Sequence, residues 1–364
     1  MTTAEAMICC HDINAALAFY VDRLGFRVDS IFPADSPHVA VLRGYGMRLR
    51  LDPQAPASPA TLRITSTDLD ALGGPGRLVA PDGTTVEIVD GDPPLAMPPL
   101  QQSFVLERAS EAARWTVGRA GMRYRDLIPD RQGGRFIGSH IQIPTAGPVP
   151  DYVHFHKIRF QMIYCYRGWV RLVYEDQGEP FIMNAGDCVL QPPRIRHRVL
   201  ESSAGLEVIE LGCPALHETF ADPDMHLPTN VVAPDRDFGG QRYAFHRAEG
   251  ALWTSALASD DGFERRRFGF AEATGGLAEA SVLRVQHCLD QGPSAVVHDL
   301  FSHDGEFHFT FVLDGAVSVH RPGFADEQLS PGDSFVMPAG QEFALRDRST
   351  DLELLEVALP APAI

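Results

Sequence analysis

Two histidines one residue apart, in His154-Phe155-His156, are the first place in this chain where chemistry can be read. In an extended strand, side chains two positions apart project from the same face and lie about 6–7 Å apart, so both imidazoles are offered to one site. Gln161 follows, then Gly168 where the next strand can turn, then Gly186-Asp187, Pro192-Pro193 and finally His197. Converging imidazoles suit a divalent cation. Spacing alone leaves a second reading open, in which they are core histidines of a metal-free barrel. Three histidines and an amide brought together would then each need a buried partner, which is costly.

The elements that would position these residues are written twice. Arg108-Ala109 leading to Trp115-Thr116 returns as Arg247-Ala248 leading to Trp253-Thr254, and Gly133-Gly134 returns as Gly275-Gly276. His156 returns as His303, Gly168 as Gly315, Gly186-Asp187 as Gly332-Asp333 and Pro192 as Pro338, in the same order and at nearly constant offset. Such a period is the size of one compact unit and predicts a duplicated domain. Each copy reads as short β-branched and aromatic runs cut by Gly, Pro and Asp: Trp169 to Tyr174, Pro180 to Met183, Val317 to His320, Ser334 to Met337. That is the pattern of antiparallel barrels or sandwiches.

The first 90 residues differ in kind. Ile13, Ala16, Leu17, Tyr20, Val21 and Leu24 fall at helical spacing, with Asp12 placed to cap the N-terminus and Gly25 just past the end. Strands are expected at 26–32, 38–42 and 47–51, then a shorter set at 61–65 and 84–89, giving βαβββ followed by a shrunken copy. Prolines crowd 90–99 and mark a linker. The expected division is 1–90, a linker over 91–102, a first barrel over 103–228 and a second over 235–364.

A net charge of −17 over 364 residues disfavours nucleic acid and anionic membrane as partners. No apolar run approaches the roughly 18 residues of a spanning helix. The N-terminal residues have neither a basic nor an apolar leader, so a cytoplasmic location is expected. Cys9, Cys10, Cys165, Cys188, Cys213 and Cys288 are scattered without a C-x-x-C pair and read as reduced thiols.

The ordered set around His154 resembles the paired motifs of the cupin superfamily, in which two His, one Glu and a last His hold a divalent metal inside a small β-barrel. Carried over by position, His154, His156 and His197 match the three histidines, and Gln161 stands where the family usually has Glu. Arg194 replaces an inner Gly, and Gly147 lies one residue further from His154 than the pattern has it. The resemblance implies one divalent transition metal, with Fe, Mn, Ni, Zn and Co all suited to nitrogen and amide-oxygen ligands. A neutral Gln161 leaves the centre at its full double charge, a stronger Lewis acid and a better host for an anionic substrate. Gln161 held next to a three-His centre, without touching the metal, is the alternative. Tyr152, on the side of His154 by alternation, is a candidate donor to a bound oxygen, and Arg159, in the turn between the ligand strands, a candidate to hold a substrate carboxylate; an ordinary packing or surface role is the favoured alternative for both. Ile163 and Cys165 share the side of Gln161.

In the second copy the same alignment puts Phe301, His303, His308 and Phe343 at the four ligand positions. A phenyl ring cannot coordinate, so this barrel is expected to have kept its fold and lost its metal; a site rescued by His298 with His303 and His308 is the alternative. The N-terminal unit resembles the vicinal-oxygen-chelate (glyoxalase and bleomycin-resistance-like) family through Asp12 to Tyr20, Leu24-Gly25-Phe26 and Ala80 to Glu87. Glu87 occupies a metal-ligand position of catalytic members, but only Glu5 lies near the other, so a structural or ligand-binding remnant is expected. The whole reads as a mainly β chain: a small α+β domain, then two tandem cupin barrels. The function that follows is a metal-dependent enzyme, dioxygenase or isomerase/lyase, acting on a small oxygenated, anionic molecule. A non-catalytic small-molecule-binding bicupin is the alternative, and a homodimer stays open as the assembly.

Overall fold

Asp12 accepts a hydrogen bond from the backbone N–H of Ala15 at 3.0 Å and starts the helix where the sequence places it. The computed structural model describes residues 4–33, 37–56, 60–111, 115–118, 121–255, 262–286 and 300–361. The α-helix runs only over Ile13–Leu17 and continues as a π-helical turn over Ala18–Arg23. This wider turn departs from the 3.6 period. It rotates Phe19 into the core beside Tyr20, while Val21, expected inward, stays half-buried.

Ala6–Cys9 runs parallel to Met47–Asp52, which continues through Val39–Gly44 to Arg27–Phe32, giving one four-stranded sheet. The shorter set, Thr61–Ser66, Gly76–Val79 and Thr85–Asp90, forms a three-stranded sheet with Thr85–Asp90 central. A 3-10 turn at Asp70–Leu72 stands where a full copy would carry a helix. Leu62, Ile64, Val86 and Ile88 join the same core as Ala16, Tyr20 and Leu24, so residues Met1–Pro94 make one compact unit.

Leu95–Ile364 is the second unit and holds both barrels. In the first, a seven-stranded sheet runs Ala244–His246, Cys188–Leu190, Phe160–Arg167, Leu206–Cys213, Ile137–Ile143, Arg123–Asp126, Thr116–Val117. It faces a sheet of Phe181–Asn184, Trp169–Tyr174, His197–Ser202, His154–His156 and Thr219–Ala221. The second barrel repeats the long sheet in the same order: Val105–Glu107, Ser334–Val336, Phe307–Asp314, Glu353–Leu359, Glu279–Val285, Phe263–Arg267, Thr254–Ser255. Its facing sheet is shorter, with Glu327–Leu329, Val317–His320 and Ala344–Arg346.

The barrels exchange their first strands. Val105–Glu107 closes the edge of the second barrel and Ala244–His246 that of the first. Two repeated motifs meet crosswise as a result: Asp187 accepts from the N–H of Ala248, and Asp333 from that of Ala109, each at 2.7 Å. Phe160, Met162 and Tyr164 alternate with Gln161, Ile163 and Cys165, and the first set joins Phe307, Phe309 and Phe311 in one core shared by the barrels. A fully buried face between the long sheets therefore fixes the opposite face of Phe160–Arg167 as the barrel interior. Gly168 and Gly315 turn the chain at positive φ, and a Cβ at either would collide with the serine, Ser203 or Ser349, that caps the turn.

Candidate metal centre

His154 and His197 sit directly opposite one another on paired antiparallel strands, and His156 is two residues along on the same face. The three rings converge, with centroids 4.3 Å apart for His154 and His197, 5.4 Å for His154 and His156, and 5.5 Å for His156 and His197. One ligand atom from each lies within 4.8 Å of the others, and all three side chains are buried.

The rings are oriented by the backbone. Nδ1 of His154 faces the carbonyl of Tyr152 at 2.8 Å, Nδ1 of His197 that of Ile195 at 3.1 Å and Nδ1 of His156 that of Glu218 at 3.3 Å. A carbonyl accepts and never donates, so each Nδ1 facing one carries its proton, and in the neutral ring this leaves the lone pair on Nε2. Three imidazoles locked in that tautomer and turned toward one point are what a divalent transition metal requires of a histidine set.

Gln161 lines the same cavity, only 2% exposed. Its amide nitrogen donates to Oε1 of Glu210 at 2.5 Å, so the amide oxygen is the atom it has left to offer. Glu210 lies one strand away on Leu206–Cys213 and also lines the cavity. The residues present thus fit a divalent metal held by His154, His156 and His197, with Gln161 as the fourth donor.

The cavity has a volume of about 80 Å³ and is partly open to solvent. Beyond the polar cluster its walls are chiefly aliphatic, with Ile141, Ile143, Val170, Leu172, Met183 and Val208 among them, and among the described residues no Lys or Arg lines it. Gln191 follows the strand Cys188–Leu190, and its backbone N–H donates to the carbonyl of Gln161 at 2.9 Å. Tyr174 donates its hydroxyl to Gln191 Oε1 at 2.5 Å and stacks on the ring of His197. Burial pushes the Tyr174 hydroxyl well above tyrosine's ordinary range, so it stays protonated as that donor.

The other two candidate residues stand elsewhere. Tyr152 is 45% exposed and does not line the cavity; its ring lies edge-on to His154 and its contribution there is its carbonyl. The strand begins only at His154, and Val153 and His154 are both buried, so two-residue alternation does not reach back to Tyr152. Arg159 pairs with Glu306 of the second barrel and does not line the cavity. Glu210, Gln191 and Tyr174 were missed at the sequence level. For Glu210 a signal existed, because Leu206-Glu207-Val208-Ile209-Glu210 returns as Leu352-Glu353-Leu354-Leu355-Glu356.

In the second barrel, Phe301 and Phe343 bridge across the strands as His154 and His197 do, with rings 4.0 Å apart. His303 is held by the carbonyl of Met337 at 2.8 Å and His308 by Glu356 at 3.0 Å. Burial lowers the pKa of His303, which keeps it neutral. Met337 and Phe343 fill an interior that in the first barrel is open. His298 lies outside the described residues, as does Cys288. In the N-terminal unit Glu5 pairs with Arg48 at 3.0 Å, and Glu87, half-buried between the core residues Val86 and Ile88, belongs to no metal-binding cluster among the described residues.

Residues 3–90 match the family model described as the Glyoxalase/Bleomycin resistance protein/Dioxygenase superfamily, and residues 290–358 match that of the Cupin domain. The chain carries a glyoxalase-type domain and a cupin domain. The first barrel repeats the strand order of that second, cupin barrel and is a cupin barrel by fold. No curated protein matches the sequence. Among solved structures, a mutant of salicylate 1,2-dioxygenase from Pseudoaminobacter salicylatoxidans is similar at 16% identity and TM-score 0.52, over 73% of this chain and 86% of that one. A mutant of Bacillus subtilis oxalate decarboxylase is similar at 12% identity and TM-score 0.50, over 74% of this chain and 79% of that one. At these identities the likeness is one of fold.

Proposed function

We propose that the first cupin barrel is the active site of a metal-dependent enzyme acting on a small oxygenated substrate. The observation that carries this reading is the common tautomer of His154, His156 and His197, each Nδ1–H spent on a backbone carbonyl beside a cavity.

A divalent ion bound there supplies Lewis-acid polarisation of the substrate's oxygens. The chain's own residues do the rest. The three histidines and Gln161 provide neutral donors, so the ion's charge is left to an anionic head group. The aliphatic walls exclude water and take the body of the substrate. Glu210 is a carboxylate at the cavity wall, able to take a proton from carbon next to a polarised carbonyl and to return it. This base, absent from the sequence-level picture, favours an enzyme over a non-catalytic binding protein. It favours enolisation chemistry, as in an isomerase or lyase, over cleavage by O2.

The test is elemental analysis followed by a substrate screen of keto acids, hydroxy acids and dicarbonyl compounds with and without O2. About one divalent ion per chain and anaerobic turnover lost in Glu210→Gln support the reading. Well-folded protein that takes up no metal after reconstitution ends it.

A further inference from the structure

Gln191 is 1% exposed and lines the first-barrel cavity, yet its amide nitrogen has no hydrogen-bond partner among the described residues. Its other polar groups are all committed. The backbone N–H goes to Gln161, and Oε1 accepts from Tyr174. A buried amide N–H left unpaired is a steady cost to the fold, and native structures keep such groups where a ligand completes them. The duplicated barrel offers an internal control. The residue before the matching proline is Met337 there, packed against Phe343 in a filled interior, in a barrel that also lacks the metal-binding set. The glutamine therefore goes with the open cavity and the histidine cluster, and an apolar side chain of similar length goes with their loss.

We infer that Gln191 donates a hydrogen bond to an acceptor oxygen of the bound substrate, and that this substrate is a chelating oxygen pair carried on an apolar body with no second anionic group. The inference deepens the proposed function and rests on it. Among the described residues the polar lining is the three histidines, Gln161, Gln191, Glu210 and the hydroxyl of Tyr124, which turns to the sulfur of Met122; the remaining walls are aliphatic side chains with Met122 and Met183. A second anionic group on the body would lie against hydrocarbon, with no Lys or Arg among the described lining residues to meet it and with the carboxylate of Glu210 nearby.

Full-length protein loaded with Co(II) tests this without turnover, using hydroxamates as probes with the same two-oxygen head. Binding is followed by calorimetry and by the visible Co(II) spectrum. Wild type is expected to bind benzohydroxamate at least fivefold more tightly than acetohydroxamate, and 4-carboxybenzohydroxamate at least tenfold more weakly than benzohydroxamate. Gln191→Met and Gln191→Glu are expected to load Co(II) as wild type does and to bind benzohydroxamate at least tenfold more weakly. Gln191→Glu keeps the size and the Tyr174 partner, so it carries the test if the methionine variant fails to fold. Undiminished binding in the variants overturns the role of Gln191, and equal binding of the carboxylated probe overturns the substrate class, both with Co(II) in place. Wild type that takes up no Co(II) is a separate result: it overturns the metal reading and the inference with it.

Discussion

Gln161 donates its side-chain amide to Glu210 across paired strands, and the same register in the second barrel joins His308 to Glu356. A carboxylate in the middle of the neighbouring strand thus holds the residue at the fourth ligand position in both copies, whether or not a metal site survives. In the first barrel this contact turns the amide so that its oxygen is what remains for the site. Glu210→Ala is expected to leave the barrel folded and to weaken metal binding by about 10–100-fold, the usual cost of losing a group that orients a ligand. Competition with a calibrated chelator measures it, and unchanged affinity would show that Gln161 does not depend on Glu210.

Metal content should separate the barrels. His154→Ala, His156→Ala and His197→Ala are each expected to empty the site, whereas His303→Ala and His308→Ala leave the ion in place. His308→Ala should still cost stability, about 1–3 kcal/mol, because it leaves Glu356 without its His308 partner in a half-buried position. Burial opposes ionisation of Glu356, but the hydrogen bond and charge of His308, with Arg265 and Arg267, outweigh it and hold its pKa below the ordinary glutamate value. Elemental analysis beside denaturant titration reads both effects. Metal loss in His303→Ala would relocate the site.

The histidine set was legible because strand alternation and the repeat fix it within one short segment, and the two phenyl rings at Phe301 and Phe343 were legible by the same offset. The helix start was legible from Asp12, a local capping signal. The π turn was not, since it is the core packing of Phe19 and Tyr20 that selects it. Arg159 shows why charges on turns mislead: its partner Glu306 lies in the other barrel, and the pairing exists only once the barrels have docked. Glu210 and Gln191 reach the cavity from strands distant in sequence, so their role depends on register, which composition does not reveal.

Acidification should destabilise the fold in two stages. Burial lowers the pKa of His140, His246 and His303, that of His246 to about 4. In each case the unfolded state binds the proton more readily, so the stability these neutral rings contribute is full above about pH 6.5 and is lost as pH falls toward the folded values. Glu207 and Glu356 are held below the ordinary glutamate value, Glu207 chiefly by its hydrogen bond from His140 and Glu356 by partners that outweigh its burial. Their contribution is present above about pH 4.5 and is lost below it. The melting temperature should therefore fall by a few degrees between pH 7 and 5 and more steeply below 4.5. His246→Phe, which keeps the ring stacked on Phe268, should flatten the first stage. A profile flat from pH 7 to 5 in wild type would contradict this.

The cupin pair should stand without the first domain. Met1–Pro94 closes its own core, and the segment after it is anchored in the second unit, where Arg135 donates to the carbonyl of Pro98 and the N–H of Gln101 to that of Gln132. A chain beginning at Leu95 is expected to fold and to bind one equivalent of metal with wild-type affinity. Starting instead at Ser103 removes those two anchors and should lower the melting temperature. If the Leu95 chain folds but does not hold metal, the glyoxalase-type domain contributes to the site.

Gln161→Glu tests the neutral fourth donor and the Glu210 contact together. The substitution sets two carboxylates at the 2.5 Å separation now spanned by an amide and a carboxylate. Such a pair does not carry two charges at that distance; it keeps a proton or moves apart, at a cost of about 1–3 kcal/mol. Gln161→Glu alone is therefore expected to lower stability and to weaken an anionic ligand, since negative charge now compensates part of the ion's. Combining it with Glu210→Gln restores an amide–carboxylate contact with the polarity reversed. The double variant should regain wild-type stability and hold its metal at least as tightly, while still binding benzohydroxamate more weakly than wild type. Stability returning without the ligand penalty would mean that charge at position 161 does not reach the ion, which places Gln161 outside the set of metal donors. A double variant no more stable than Gln161→Glu would mean that the contact with Glu210 is not what the single substitution breaks.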